Sequence, residues 1–121
     1  MLNTLESLFK LARERKSSPV DGSYTNKLLS DQSLSKAKVL EEINELIEAV
    51  EKDTNKIHEA ADVFYHLAMY LEANNIKIED VMSELDKRKK WVINFINPQD
   101  QDYKEVNWLF QDLIQRCLKK H

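Results

Sequence analysis

Five acidic residues, Glu41, Glu42, Glu45, Glu59 and Asp62, stand at helical spacing in the segment KVLEEINELIEAVEKDTNKIHEAADVFYH, residues 38–66. Glu42 and Glu45 lie three positions apart, as do Glu59 and Asp62, so each pair shares one face of its helix. With the turn centred near Lys52, antiparallel partners have positions summing to about 104, which sets Glu45 opposite Glu59 and Glu42 opposite Asp62, about 4.5 Å of helix rise apart. Four carboxylates then converge. Like charges at close range raise each other's pKa, so the group stays ionised only beside a counter-charge. All-oxygen carboxylate ligation suits Mg²⁺, with Mn²⁺ as a second choice, whereas Zn²⁺ favours Cys or His. A single Glu-x-x-Glu usually marks a solvated acidic face. Here the second pair sits in HEAADVFYHLAMYL, a mostly apolar stretch where unpartnered carboxylates are costly.

Two amphipathic helices must position these acids. Apolar residues recur at Val39, Ile43, Leu46, Ile47 and Val50, and again at Ile57, Ala61, Phe64, Leu67, Ala68 and Leu71, each with helical period. Lys52, Asp53, Thr54 and Asn55 supply the polar turn between them. Ser35 is the expected N-cap of the first of these helices, and Asn74 and Asn75 the end of the second. An earlier helix, with Leu2, Leu5, Leu8, Phe9 and Ala12 on its apolar stripe, ends near Lys16. A later one runs from about Ile78 to Ile96 with Val81, Met82, Leu85, Val92 and Phe95 inward, and Asn97-Pro98 stops it. A last helix is expected over 103–119, with Tyr103, Val106, Phe110, Leu113 and Cys117 on one stripe.

One glycine, two prolines and 32% charged residues in 121 fit an all-α helical bundle and leave little turn chemistry for a sheet. The expected organisation is one helical domain over 1–96 with a helical extension, 97–121, packed on it. A net charge of −3 with scattered basic residues gives no footprint for nucleic acid. The uncharged run from Val63 to Leu71 is far short of the roughly 20 residues that span a bilayer. The single cysteine forms no internal disulfide. A cytoplasmic protein is the expectation, without membrane or nucleic-acid partners. The hairpin alone leaves apolar faces uncovered, which predicts a homodimer or higher homo-oligomer completing the bundle.

Before the hairpin, SSPVDGSYT breaks the first helix at Pro19, Asp21 and Gly22 and places Ser23, Tyr24 and Thr25 at the start of a short helix reaching about Ser30. Hydroxyl donors there are suited to phosphate. Ser23 reads equally well as a simple N-cap.

Taken together, ARERKSSPVDGSYTNKLL, AKVLEEINELIEAV and EAADVFYHLAMYLEANNIKIEDVMSELDKR resemble phosphoribosyl-ATP pyrophosphohydrolase, a family of histidine-biosynthesis enzymes. That family belongs to the all-α nucleoside triphosphate pyrophosphohydrolase superfamily, with MazG and the dimeric dUTPases. E-E-x-x-E followed by E-x-x-D marks the superfamily, while GSYT-x-K-L-L and A-D-x-x-Y-H point to the phosphoribosyl-ATP branch. The resemblance implies Mg²⁺-dependent hydrolysis of phosphoribosyl-ATP to phosphoribosyl-AMP and pyrophosphate. It assigns metal binding to Glu42, Glu45, Glu59 and Asp62, and a water-orienting base or second-metal ligand to Glu41. It gives phosphate and ribose contacts to Arg15, Ser23, Tyr24, Thr25, Lys27 and Lys38. Ile43 and Asn44 depart from the small residues common in the family, and Lys77 stands where a capping Ser or Asp is usual. From Trp91 onward nothing matches, including the cyclohydrolase domain often fused there. A MazG-like or dUTPase-like enzyme acting on another nucleotide is the alternative. A carboxylate-bridged di-iron bundle wants two Glu-x-x-His motifs and finds only Asp62 and His66 at i, i+4. A helical interaction module is the non-enzymatic rival.

Overall fold

The computed structural model describes residues 1–96 and 115–116, without the side chains of 90–96. Its helices are α1 (Asn3–Ser17), α2 (Tyr24–Ser30), α3 (Gln32–Lys52), α4 (Lys56–Ala73) and α5 (Ile78–Ile96), with no strand among the described residues. The chain therefore has the all-α class that its composition implies. The chain divides into two compact units, Met1–Ile78 and Glu79–His121. The helix expected over 103–119 lies outside the described residues except for Gln115 and Arg116, which are helical.

Within the first unit α4 is the hub, packing along α3 and against both α1 and α2. Ala12, Leu28, Leu29, Ala68 and Met69 form the buried core, flanked by Leu8, Phe9, Leu34 and Tyr65. Ala12 and Ala68 are small enough for α1 and α4 to approach closely where Leu28 and Met69 fill the remaining space. Side chains from other elements satisfy the last carbonyls of α4. Lys16 Nζ donates to the Glu72 carbonyl at 2.7 Å, and Gln32 Nε2 to that of Ala73 at 3.1 Å.

The helix junctions rely on Asp and Asn. Asp31, not Ser35, caps α3: its Oδ1 accepts from the Leu34 N–H at 3.0 Å, and its own N–H donates to the Lys27 carbonyl, closing α2. One residue thus ends one helix and starts the next. Ser35 lies inside α3, buried. Asp53 and Asn55, both at positive φ (54° and 47°), make the α3–α4 turn without glycine. Gly22, φ 75°, has open space around its missing Cβ, so the backbone angle alone calls for glycine there.

The apolar stripes divide between core and surface. Val39 is buried, but Ile43, Ile47 and Val50 on α3 and Ile57, Phe64 and Leu67 on α4 are exposed in the single chain. Met82 and Leu85 of α5, expected inward, are exposed as well. Amphipathicity shows which side of a helix is apolar; it does not show what covers that side.

Replacing the fully buried Leu28 by Ala should lower unfolding free energy by about 3 kcal/mol, mainly through the cavity left behind. Asp31→Ala should cost about 1 kcal/mol, the value of one N-cap. Urea denaturation of both variants checks the ranking, and an Asp31 effect equal to that of Leu28 would contradict it.

Candidate active site

Carboxylate oxygens of Glu42 and Glu45 from α3 and of Glu59 from α4 lie within 4.8 Å of one another. Glu59 and Asp62 form a second such group with His58, whose Nε2 is 3.3 Å from Asp62 Oδ2. The approach of Glu45 to Glu59 expected from the turn is therefore realised, and Glu59 joins the two groups. Glu42 is the buried member at 8% exposure, while Glu45, Glu59 and Asp62 are half-buried. Glu41, one position from Glu42 and so about 100° around the helix, is exposed and paired with Lys38 at 3.1 Å.

Burial, followed by repulsion from Glu45, pushes the Glu42 carboxyl above the ordinary carboxylate range; the nearby His66 opposes this. Glu59 is raised for the same two reasons in the same order. Glu42 Oε2 and Glu59 Oε2 are buried without a hydrogen-bond partner. Buried, unpartnered, mutually repelling oxygens from two helices fit a divalent cation of the Mg²⁺ or Mn²⁺ type, because one ion answers both the missing partners and the charge.

A loop stands beside the hairpin. Ser23 caps α2, accepting from the Asn26 N–H at 3.3 Å, and also accepts from Arg15 Nη1 at 3.1 Å. Asn26 ties the loop at both ends: its Nδ2 donates to the Arg15 carbonyl at 2.6 Å, and its Oδ1 accepts from the Val20 N–H at 2.9 Å. Two hydroxyls then fasten α2 to α4, Tyr24 to His66 Nε2 at 3.0 Å and Thr25 to the Tyr65 hydroxyl at 2.5 Å. A cavity of about 880 Å³ on the loop side is lined by Lys16, Gly22, Ser23, Tyr24, Asn26 and Lys27 among others. None of the clustered carboxylates lines it. Tyr24 is where the two regions meet. Burial raises its phenol pKa, Lys38 opposes the rise, and Glu42 and Glu41 are close enough to add to it.

The structure thus brings Glu42, Glu45, Glu59 and Asp62 together on the hairpin and Arg15, Ser23, Tyr24 and Lys27 around the loop. Lys38 and Glu41 form a pair of their own, and the Thr25 hydroxyl serves as a fastening. Asn26, His58, Tyr65 and His66 hold these positions; Tyr65 and His66 belong to the A-D-x-x-Y-H segment, whereas Asn26 and His58 were assigned nothing from the sequence. The spacing of four to Asp62 was the signal available for the two histidines, and the A-D-x-x-Y-H segment the one for Tyr65; Asn26 acts across elements.

A carboxyl whose folded-state pKa is raised contributes stability that is fully present below its unfolded value and lost as pH rises through the folded one. In EDTA the protein should therefore gain stability on going from neutral pH down towards the ordinary glutamate range, through the groups Glu42 and Glu59. Glu42→Gln should melt at an equal or higher temperature than the parent at neutral pH, with a smaller gain on acidification. Calorimetry without metal checks this, and a lower melting temperature for Glu42→Gln would contradict it.

The family model for phosphoribosyl-ATP pyrophosphohydrolase matches residues 2–89, well over half of the chain. The phosphoribosyl-ATP pyrophosphatase of Clostridium acetobutylicum is 42% identical over 95 residues, covering 74% of this chain and 84% of that one. That of Bacillus cytotoxicus is 39% identical over 93 residues, 73% and 85% of the two chains. The histidine biosynthesis bifunctional protein HisIE of Pyrococcus furiosus is 41% identical over 91 residues, 74% of this chain but 43% of its own length. No solved structure matches the chain. With the carboxylate hairpin and the loop in place, and with the family model spanning both, the chain belongs to the phosphoribosyl-ATP pyrophosphohydrolase family.

Proposed function

We propose that this protein hydrolyses phosphoribosyl-ATP between its α- and β-phosphates, giving phosphoribosyl-AMP and pyrophosphate in histidine biosynthesis, with Mg²⁺ or Mn²⁺ held by Glu42, Glu45, Glu59 and Asp62. The observation that carries the reading is the convergence of buried, unpartnered carboxylate oxygens from α3 and α4 in a chain of this family. A cation bound there would neutralise phosphate charge and lower the pKa of an attacking water. The chain's own residues do the rest. Glu41, exposed beside the cluster, would take the water's proton, and Lys38, paired with Glu41 at 3.1 Å, would turn from it towards phosphate. Arg15, Ser23 and Lys27 line the approach from the loop, and Tyr24 spans loop and hairpin. Phosphoryl transfer depends chiefly on positioning and electrostatics, so the site needs no Ser or Cys nucleophile.

The assembly proposed is a homodimer. Both hairpin helices carry exposed apolar residues, Ile43, Ile47 and Val50 on α3 and Ile57, Phe64 and Leu67 on α4, with Ile57 89%, Phe64 54% and Ile47 51% exposed. A contiguous apolar face is rare on a monomer, and a two-fold axis would bury it against its own copy. A cytoplasmic location accords with a diffusible nucleotide substrate; no described helix is long and apolar enough to cross a membrane.

Two outcomes test the reading. Purified protein offered phosphoribosyl-ATP, dUTP and dCTP with Mg²⁺ should release pyrophosphate chiefly from phosphoribosyl-ATP, and EDTA should stop it. Glu45→Gln and Asp62→Asn should each lower turnover by at least two orders of magnitude with helical circular dichroism intact, as expected for loss of a charged ligand; retained activity in both would sink the cation site. Light scattering should give a dimer for the parent and a monomer for Phe64→Glu. A fully active monomeric parent would overturn the assembly.

A further inference from the structure

His66 and Tyr24 fix the direction of a proton next to the proposed site. His66 is 7% exposed on α4, and its Nδ1 lies 2.8 Å from the Asp62 carbonyl oxygen one turn earlier. A carbonyl only accepts, so Nδ1 carries the hydrogen, and in the neutral imidazole Nε2 is left with a lone pair. Tyr24 Oη is 3.0 Å from that Nε2. With the imidazole neutral the phenol is the donor, and its only hydrogen is committed to His66. What remains on the oxygen is lone-pair density, on a side chain that lines the loop cavity and feels Lys38, Glu42 and Glu41.

An oxygen in that state cannot donate to a phosphate. Phosphate oxygens are acceptors, and two acceptors facing each other repel. Tyr24 is thus unsuited to the phosphate-donor role that its place at the start of α2 suggests, and it must meet a donor. Resting on the functional reading above, we propose that His66 is a positioning residue that turns the Tyr24 phenol into an acceptor for a ribose hydroxyl of the substrate. The neighbouring Thr25–Tyr65 bond holds the first turn of α2 to α4 by a separate contact. Losing the His66 bond should therefore release the phenol's hydrogen without freeing the helix.

The variants separate the two nitrogens of the imidazole. His66→Gln carries an amide oxygen that reaches the place of Nε2 and can still accept from Tyr24. His66→Asn can keep the bond to the Asp62 carbonyl but reaches no further. Steady-state kinetics on phosphoribosyl-ATP with the full chain should show KM raised about tenfold in Tyr24→Phe and in His66→Asn, the worth of one hydrogen bond of ordinary strength. The double variant should be no worse than either, and His66→Gln should recover KM to within about threefold of the parent. Inhibition by inorganic pyrophosphate, which has no ribose, should be unchanged in all four. Pyrophosphate inhibition that weakens in step with KM would make Tyr24 a phosphate donor and overturn the proposal. Parent-like kinetics in His66→Asn, or equal losses in His66→Asn and His66→Gln, would overturn it too. If His66→Asn fails to fold, Tyr24→Phe with pyrophosphate decides. A parent chain inert towards phosphoribosyl-ATP would strike the functional reading instead, and ¹⁵N NMR of the free protein would still decide the pair. A protonated Nδ1 with a bare Nε2 on His66 supports the proposed orientation, and the opposite tautomer overturns it.

Discussion

Repulsion among the carboxylates that α3 and α4 bring together is the force the rest of this structure must accommodate. Glu42, Glu45 and Glu59 approach within 4.8 Å only because the two helices are held in one register, and a slip of a single residue would swing each acid about 100° around its helix. The turn at Asp53 and Asn55 fixes that register. Both residues sit at positive φ, the Asp53 N–H donates to the Val50 carbonyl at 3.3 Å, and the Glu59 N–H donates to that of Asn55 at 3.0 Å. Aspartate and asparagine tolerate this geometry better than other side chains. Folding energy from the core is what holds this unfavourable charge arrangement together.

Helix α4 serves three purposes with three faces. Ala68 and Met69 bury it against α1 and α2, Glu59 and Asp62 face α3, and Ile57 and Phe64 remain exposed. Histidines at 58 and 66 flank Asp62 by one turn on each side, one touching its carboxylate and the other its carbonyl. The loop before α2 reaches the same helix through Tyr24 and Thr25, so the part that would meet the nucleotide and the part that would hold the cation share one rigid support. Such sharing keeps two halves of a site in fixed relation without a long connecting network.

Much of this was legible in the sequence because it is local or periodic. The hairpin, the short helix Tyr24–Ser30 and the span Ile78–Ile96 follow from helical spacing, proline, glycine and asparagine, and the opposition of Glu45 and Glu59 follows from counting back from the turn. What was not legible depends on pairing between elements. Ser35 resembles a cap, but the helix starts four residues earlier because Asp31 closes α2 and opens α3 at once. Burial of Glu42 beside an exposed Ile43 inverts what hydropathy suggests, since the inner face of the hairpin belongs to the acids. His66 and Asn26 act through bonds to residues 42 and 11 positions away, and no periodicity encodes such a bond.

The central claim is that the hairpin carboxylates hold the cation on which catalysis depends. Anomalous diffraction from crystals grown with Mn²⁺ tests it most directly. The account predicts a strong anomalous peak bounded by Glu42, Glu45, Glu59 and Asp62; a peak elsewhere, or none at saturating Mn²⁺, would contradict it.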